Sequence, residues 1–408
     1  MKSLRNILNS KNYFRIVLLG ALILLSLNLF LNDHQKLSRK NRHVHSVKFT
    51  EKQETQTYES NEEVTKTQNF PVLEEWTEIK KVFSKIVPDD DKKSVKNYCS
   101  EIPTKIRRRI KIKTVPENFS AFNSSIGKFN FSEGIKDGGR WSPKDCQARH
   151  KVAIVIPYKN RLKNLNYFLY HMHPFLQRQE LEYQIFVVEQ VNNEVFNKGI
   201  LMNSAFLEIR KIYNYTIPDL YSFPFDCIIY HDVDLLPEDD RILYSCPQAK
   251  PRHLSVAIDK FKYKIFYYRL IGGVLNFRVH HFVKANGYSN EYWGWGGEDD
   301  DMEVRLSNMH IGFERPNINI AHYSMLKHDK GVANPLRKVL LKKADTRFQR
   351  DGLNNVKYRL KGVIKHCMFT HILIDVGKAP LDISQNMTTT KKTLKIQSPK
   401  LSNTTRKN

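Results

Sequence analysis

KVAIVIPY, residues 151–158, is an apolar run behind a single lysine that closes on Pro157 and Tyr158. Its reading decides the fold. A short run of this kind, apolar at nearly every position, predicts a strand buried on both faces. Directly after it, Leu162, Leu165, Phe168, Leu169 and Met172 recur at helical spacing. YQIFVVEQ predicts a second strand, Phe196, Ile200, Leu201, Ala205 and Ile209 a second helix, and DCIIYHDVD a third strand that runs into acids. Strand–helix–strand–helix–strand predicts an α/β fold, a mostly parallel sheet covered by helices. Ligands of such sheets sit beyond the carboxyl ends of the strands. Lys159 and Arg161, then Asp232 and Asp234, fall there. No GxGxxG follows the first strand, which argues against a nicotinamide or flavin dinucleotide.

Outward from this core, the 408-residue chain is long enough for one large domain or two smaller ones, and carries a formal net charge of +24. Such charge suits nucleic acid, an anionic membrane surface or a small anionic substrate, and does not choose among them. The segment from Ile16 to Leu31 is uncharged and, with Tyr13 and Phe14, just long enough to span a bilayer. Lys2, Arg5, Lys11 and Arg15 precede it as a cytoplasmic flank would, although Lys36, Arg39 and Lys40 follow it. No convincing small-residue cleavage site follows, so an uncleaved anchor is favoured over a signal peptide. Asn-x-Ser/Thr triplets start at Asn118, Asn123, Asn130, Asn214, Asn386 and Asn403, all on the side that would be lumenal. Cys99, Cys146, Cys227, Cys246 and Cys367 show no CxxC spacing; an oxidising lumen would allow two disulfides and one leftover thiol. A secretory setting without a zinc-finger or RNA-binding motif counts against nucleic acid.

Two stretches carry candidate chemistry. In HDVD, Asp232 and Asp234 are two apart, so an extended backbone would point both carboxylates the same way. A hard divalent cation, itself able to hold a diphosphate, would relieve their repulsion; the bland alternative is a solvated loop. In WGWGGEDDDME, residues 293–303, four acids follow two tryptophans and three glycines. An acidic first helical turn with core tryptophans accounts for part of this. Capping needs one or two acids, however, and tryptophan faces with carboxylates also suit sugar rings and hydroxyls. One carboxylate would serve as a general base. Together with the basic loop, these elements suit a metal-dependent nucleotide-sugar transferase.

From about Cys99 to Ile374 the chain resembles the β-1,4-galactosyltransferase family of the Golgi. The motifs PYKNR, FNKGILMN, HDVDLLP, PRHLSVAIDKF, GGV, WGWGGEDDD, RPN, MLKH and DGLN occur in family order. The resemblance implies a GT-A fold, a type II Golgi membrane protein with a lumenal catalytic domain, a manganese cofactor, and inverting transfer from a UDP-sugar to a terminal N-acetylglucosamine. It implies manganese ligands at Asp234, Met325 and His328, and the catalytic base at Asp299. Nucleotide-sugar contacts are implied at Pro157, Lys159, Arg161, Phe196, Lys198, Asp232, Val233, Asp234, Gly273 and Trp295. Sugar contacts are implied at Tyr267, Leu270, Glu298, Asp299, Asp300, Arg337 and Leu341, and disulfides at Cys99–Cys146 and Cys227–Cys246. Cys367 has no recognised counterpart.

The implied organisation is a cytoplasmic tail (1–12), an anchor (13–31), a largely disordered stem (32–95), a catalytic domain (96–378) and a disordered tail (379–408). The catalytic domain divides into a nucleotide-binding half (about 148–240) and an acceptor and metal half (about 241–378). Three departures from the family stand out. Lys159 and Lys198 replace arginines, keeping charge but losing bidentate geometry. Lys338 replaces an aromatic near the acceptor. Leu270 replaces the tyrosine that crowds the 2-substituent of the sugar donor, which favours UDP-N-acetylgalactosamine over UDP-galactose. The segment from about Lys327 to Lys343 matches a loop that closes over the nucleotide sugar. A catalytically silent lectin-like member, a polyanion-binding protein and a homo-oligomer stay open.

Overall fold

In the computed structural model, the described residues are 97–122, 133–215, 219–329, 331–381 and 383. The predicted anchor, the stem and most of the C-terminal tail lie outside them. So do the sequons at Asn123, Asn130, Asn386 and Asn403; those at Asn118 and Asn214 are exposed. Among the described residues no helix is long and apolar enough to cross a membrane.

The strand read from KVAIVIPY spans Lys151–Tyr158 (β2) and is buried from Val152 onward. Its burial on both faces has a plain cause. Val152, Ile154, Ile156 and Tyr158 enter one apolar core with Leu165, Phe168, Leu169 and Met172 of the helix Leu162–Arg178 (α1). Ala153 and Val155 enter a second core with Ile200, Leu201, Ala205 and Ile209 of the helix Lys198–Ile212 (α2). Alternate side chains thus serve opposite layers. Two helical expectations shift at their ends. Leu162, the first residue of α1, is exposed, and Phe196 precedes α2, whose start is capped by the Asn197 side chain accepting from the Ile200 amide.

With Arg140–Trp141 (β1), Glu182–Gln190 (β3), Cys227–His231 (β4), Arg252–His253 (β6), Val274–Arg278 (β8), Arg359–Lys365 (β10) and Thr370–Asp375 (β11), β2 forms an eight-stranded sheet. Its order is β10–β11–β3–β2–β4–β8–β6, with β1 on the start of β3. The expected mostly parallel sheet is corrected to a mixed one. Only β11, β3, β2 and β4 run parallel, and the flanking pairs are antiparallel. The four residues between β10 and β11 are too few for a parallel crossover. A second sheet joins Leu235–Pro237 (β5), His322–Met325 (β9) and Ala257–Ile258 (β7). Short helices Val279–Lys284 (α3), Arg337–Lys342 (α5) and Ala344–Arg347 (α6) flank Glu298–Asn308 (α4) in sequence. Cys99–Cys146 and Cys227–Cys246 are bonded as expected, and Cys367 lies outside both bridges.

Candidate active site

The four acids begin α4. Three glycines ahead of them, Gly294, Gly296 and Gly297, have φ of +90°, +96° and +102°. Gly297 is the N-cap, and a Cβ there would lie 2.6 Å from the Tyr292 ring. Conformation and space both exclude a side chain. The two tryptophans divide: Trp293 is core, whereas Trp295 is 63% exposed under the Arg337 guanidinium, 5.3 Å away. The acids divide too. Asp301 is fully buried and accepts from Arg305, Arg347 and Tyr292, so it belongs to the core. Glu298, Asp299 and Asp300 stay partly accessible. Glu298 pairs with Lys198 (3.4 Å), and Asp300 accepts from the Tyr267 hydroxyl (2.6 Å). The helix-start reading therefore accounts for Asp301, and Glu298, Asp299 and Asp300 are the acids left accessible.

Asp299 is the group best prepared for proton transfer. Burial raises its carboxyl to about 7, Glu298 and Asp300 push the same way, and Lys198 opposes them. That value suits a general base near neutral pH. The Lys198 ammonium lies 2.7 Å from Asp232 and 3.4 Å from Glu298. Burial disfavours its charge, but Asp232 and Glu298 outweigh this and hold it well above the usual lysine range. Lys198 thereby joins the strand-end acids to the helix acids. Gly272 stands against the base, since a Cβ built there would lie 2.1 Å from Asp299 Oδ2. Gly272→Ala is expected to displace the carboxylate and lower kcat by roughly 10²-fold with little change in global stability. Steady-state kinetics with a parallel melt would check this.

Asp232 and Asp234 do not share a face of an extended strand, as the sequence suggested. The backbone turns at Val233, and the Leu235 amide donates to the Asp232 carbonyl (3.3 Å). The turn separates their tasks, sending Asp232 to Lys198 and Asp234 to His328. His328 Nε2 lies 2.6 Å from Asp234 Oδ2, and its Nδ1 is hydrogen-bonded to the Asp329 carbonyl. With Nδ1–H donating, the Nε2 lone pair faces the carboxylate, an arrangement that needs a proton or a cation between the two. Pairing of β5 with β9 sets Leu235 opposite Met325, and the Leu326 amide donates to the Asp234 carbonyl. Met325 Sδ accepts from Lys260 (3.3 Å). A carboxylate, an oriented imidazole and a thioether close in the fold make a donor set that fits a divalent transition metal.

The remaining expected residues surround this centre. Pro157 is buried in β2. Lys159 donates to the carbonyls of Asn192 and Glu194. Arg161 donates to the Asp329 carbonyl and, with Asn160, Lys163 and His328, lines an open cleft of about 240 Å³. The Phe196 carbonyl accepts from Gly294, and the Gly273 carbonyl accepts from Asp232. Val233 is 7% exposed in the core, which leaves mainly its backbone for a ligand. Leu270 is half-buried beside Gly272 in sequence. Arg337 packs across Gly296 and Gly297, and its Nη1 is buried without a hydrogen-bond partner. Leu341 follows one helical turn later, half-buried, while Lys338 is exposed. Trp295 is bridged to Ala333, with its amide donating to the Val332 carbonyl and its carbonyl accepting from the Asn334 amide, so residues 332–334 of the expected closing segment lie beside Trp295. Residue-type reasoning missed Lys260, His253, Gly272 and Arg315, although each stands inside a quoted motif.

Residues 99–247 match the family model described as the N-terminal region of glycosyl transferase group 7, and residues 252–329 that described as the N-terminal domain of galactosyltransferase. The chain is 42% identical over 248 residues to mouse β-1,4-galactosyltransferase 1, covering 60% of this chain and 59% of that one. It is 38% identical over 286 residues to mouse β-1,4-galactosyltransferase 3, covering 69% of each. Against the first relative, the match thus spans about six-tenths of that protein's length. Among solved structures it is similar to the catalytic domain of Drosophila β-1,4-galactosyltransferase 7 in complex with xylobiose. The identity is 30% and the TM-score 0.48, with 58% of this chain and 98% of that chain covered. A mutant of that fly enzyme is solved with manganese, UDP-Gal and xylobiose. The chain belongs to the β-1,4-galactosyltransferase family.

Proposed function

We propose that the protein is an inverting, UDP-sugar-dependent β-1,4-glycosyltransferase. It moves N-acetylgalactosamine, or in second place galactose, to the 4-hydroxyl of a terminal N-acetylglucosamine. The observation that carries this reading is Asp299, a carboxylate raised to about 7 at the start of an acidic helix and pressed against Gly272. Asp299 takes the proton of the acceptor hydroxyl as that oxygen bonds to the anomeric carbon. The anomeric bond to UDP breaks on the opposite face, which inverts the linkage. Glu298 and Asp300 accept from sugar hydroxyls, and Trp295 offers a ring face. Asp234, Met325 and His328 would hold Mn2+, whose charge stabilises the departing diphosphate. In the full protein we place this domain in the Golgi lumen behind the N-terminal anchor.

The test is turnover of UDP-galactose and UDP-N-acetylgalactosamine by the purified full-length protein, with manganese, a β-linked N-acetylglucosamine acceptor and Asp299→Asn as blank. Turnover of neither, in protein and blank alike, would sink the reading and favour a silent lectin-like member. The choice of sugar donor rests on Leu270, a branched aliphatic where a tyrosine would crowd a 2-acetamido group. Leu270→Tyr is therefore expected to shift relative kcat/KM toward UDP-galactose by roughly 10–100-fold. An unchanged ratio would mean that other residues fill the pocket.

A further inference from the structure

Behind Leu270 and Gly272 lies a set of polar side chains that neither the acid helix nor the metal residues account for. Arg315 is half-buried between aromatic rings, 4.5 Å from the Phe313 centroid and 5.4 Å from that of Tyr268. Among the described residues no carboxylate pairs with it. Its Nη2 donates to the carbonyls of Tyr268 and Leu270, the latter at 2.7 Å, and its Nε donates to His253 Nδ1 at 3.2 Å. His253 is fully buried on β6, and its Nε2 donates to the Gly272 carbonyl at 2.9 Å. Ser255 Oγ donates to the same carbonyl (3.0 Å) and accepts from the Val274 amide (2.9 Å).

The chemistry of the relay runs one way. A guanidinium only donates, so Nδ1 of His253 must accept and the ring proton must sit on Nε2. That tautomer is the one able to donate to Gly272. Burial, then the Arg315 charge, pushes His253 down to about 3, which keeps the ring neutral at any working pH. The carbonyls of Tyr268, Leu270 and Gly272 are thus held from one side by a single connected group. Between them stands the residue that faces the 2-substituent of the sugar in the reading above, and at their end the glycine that touches Asp299. Desolvating a guanidinium without a counter-charge is unfavourable, and here the charge is directed at backbone.

We propose that Arg315, acting through His253, is a positioning residue that holds the Tyr268–Gly272 segment in the shape that selects the sugar donor. Arg315 need not touch substrate. A fork serves two carbonyls and an imidazole at once, whereas a lysine point charge does not reproduce that geometry. The selection half of this proposal rests on the reading of Leu270 given above; the clamp itself does not.

Arg315→Lys, His253→Ala and His253→Gln in the full-length protein test it. Three readouts are used: relative kcat/KM for UDP-N-acetylgalactosamine and UDP-galactose, UDP affinity with manganese, and hydrogen exchange across residues 266–274. Arg315→Lys and His253→Ala should erode discrimination between the sugars by about 10-fold and speed local exchange by about 10-fold, with UDP affinity unchanged. Glutamine can accept from Arg315 and donate to Gly272, so His253→Gln should restore both. A merely structural role would lower the melting temperature and turnover of both sugars in proportion, with the ratio intact, and that outcome overturns the proposal. Unchanged exchange in Arg315→Lys overturns it as well. Should the wild type turn over neither sugar, the functional reading and the selection half fall together, and exchange alone decides the clamp.

Discussion

Asp299→Asn is expected to lower kcat by about 10²–10⁴-fold, the usual contribution of a positioned general base, while leaving UDP binding in place. The amide keeps the shape of the side chain but cannot take the proton. The pH dependence follows from the same carboxyl. Its folded value is raised to about 7, so kcat/KM of the wild type should rise with pH through that value and fall away below it. Stability moves in the opposite sense. An unfolded aspartate ionises near ~3.9, so between there and about 7 the folded state alone keeps the proton; stability falls as pH rises across that window and levels off above it, where both states are ionised. Asp299→Asn should therefore match the wild type at pH 4 and exceed it at pH 8 by up to about 4 kcal/mol. Relief of repulsion on Glu298 and Asp300 works in the same direction. Equal melting temperatures at both pH values would mean that the carboxyl is not raised.

Two residues further along the same run the expected result is the reverse. Asp301→Ala should destabilise the protein by roughly 3–5 kcal/mol, enough to unfold a marginal domain. Asp301 and Arg305 are fully buried and joined by a 2.6 Å contact. Arg347 donates to both Asp301 and Asp351, and Arg305 also reaches Asp351. Asp351 in turn accepts from Ser289 and from the Asn290 amide. Removing one carboxylate leaves two arginines short of countercharge, one with no access to water. The neighbouring Asp300→Ala is the control. That residue is partly accessible and its side chain accepts from Tyr267, so its loss should cost about 1 kcal/mol or less. Urea midpoints for both variants check the contrast; similar shifts would refute the division of labour along α4.

The division explains what the run of acids concealed. By residue type the four carboxylates are alike, and the family resemblance marks the first three as functional. A helix turns about 100° per residue, so four successive side chains point in four directions. One of them must point inward, and Asp301 does. Trp293 and Trp295, which the sequence treats as a pair, lie ahead of the helix, where the positive φ of Gly294 between them accompanies one ring in the core and the other at the surface.

Much of the fold was legible because it follows from short-range pattern. Strand β2 reads as buried because every residue after Lys151 is apolar, and helices on both faces make that pattern possible. The helical spacing of Leu165, Phe168, Leu169 and Met172 predicts the face that α1 buries. Sheet direction was less legible. Parallel pairing at the centre follows from the alternation of strands and helices, but the antiparallel flanks depend on connection lengths and on strands of two to seven residues with weak signals. The DVD pair shows the limit most clearly. Spacing by two implies a shared face only in extended backbone, and the tight turn at Val233 removes that condition.

By itself, then, the sequence determined the two-faced central strands, the placement of basic and acidic residues at strand ends, and the family to which the motifs belong. Each depends on residue identity or on periodicity within about twenty positions. Tertiary structure alone decided which of the acids has its carboxyl raised, what holds it there and what backs the wall beside it. Asp299 owes its raised basicity to burial and to flanking acids, balanced by a lysine a hundred positions earlier. Gly272 meets it from another strand's approach, and Arg315 reaches Leu270 across 45 residues. Desolvation and hydrogen-bond geometry are properties of what surrounds a group, and the chain acquires them only when distant segments pack.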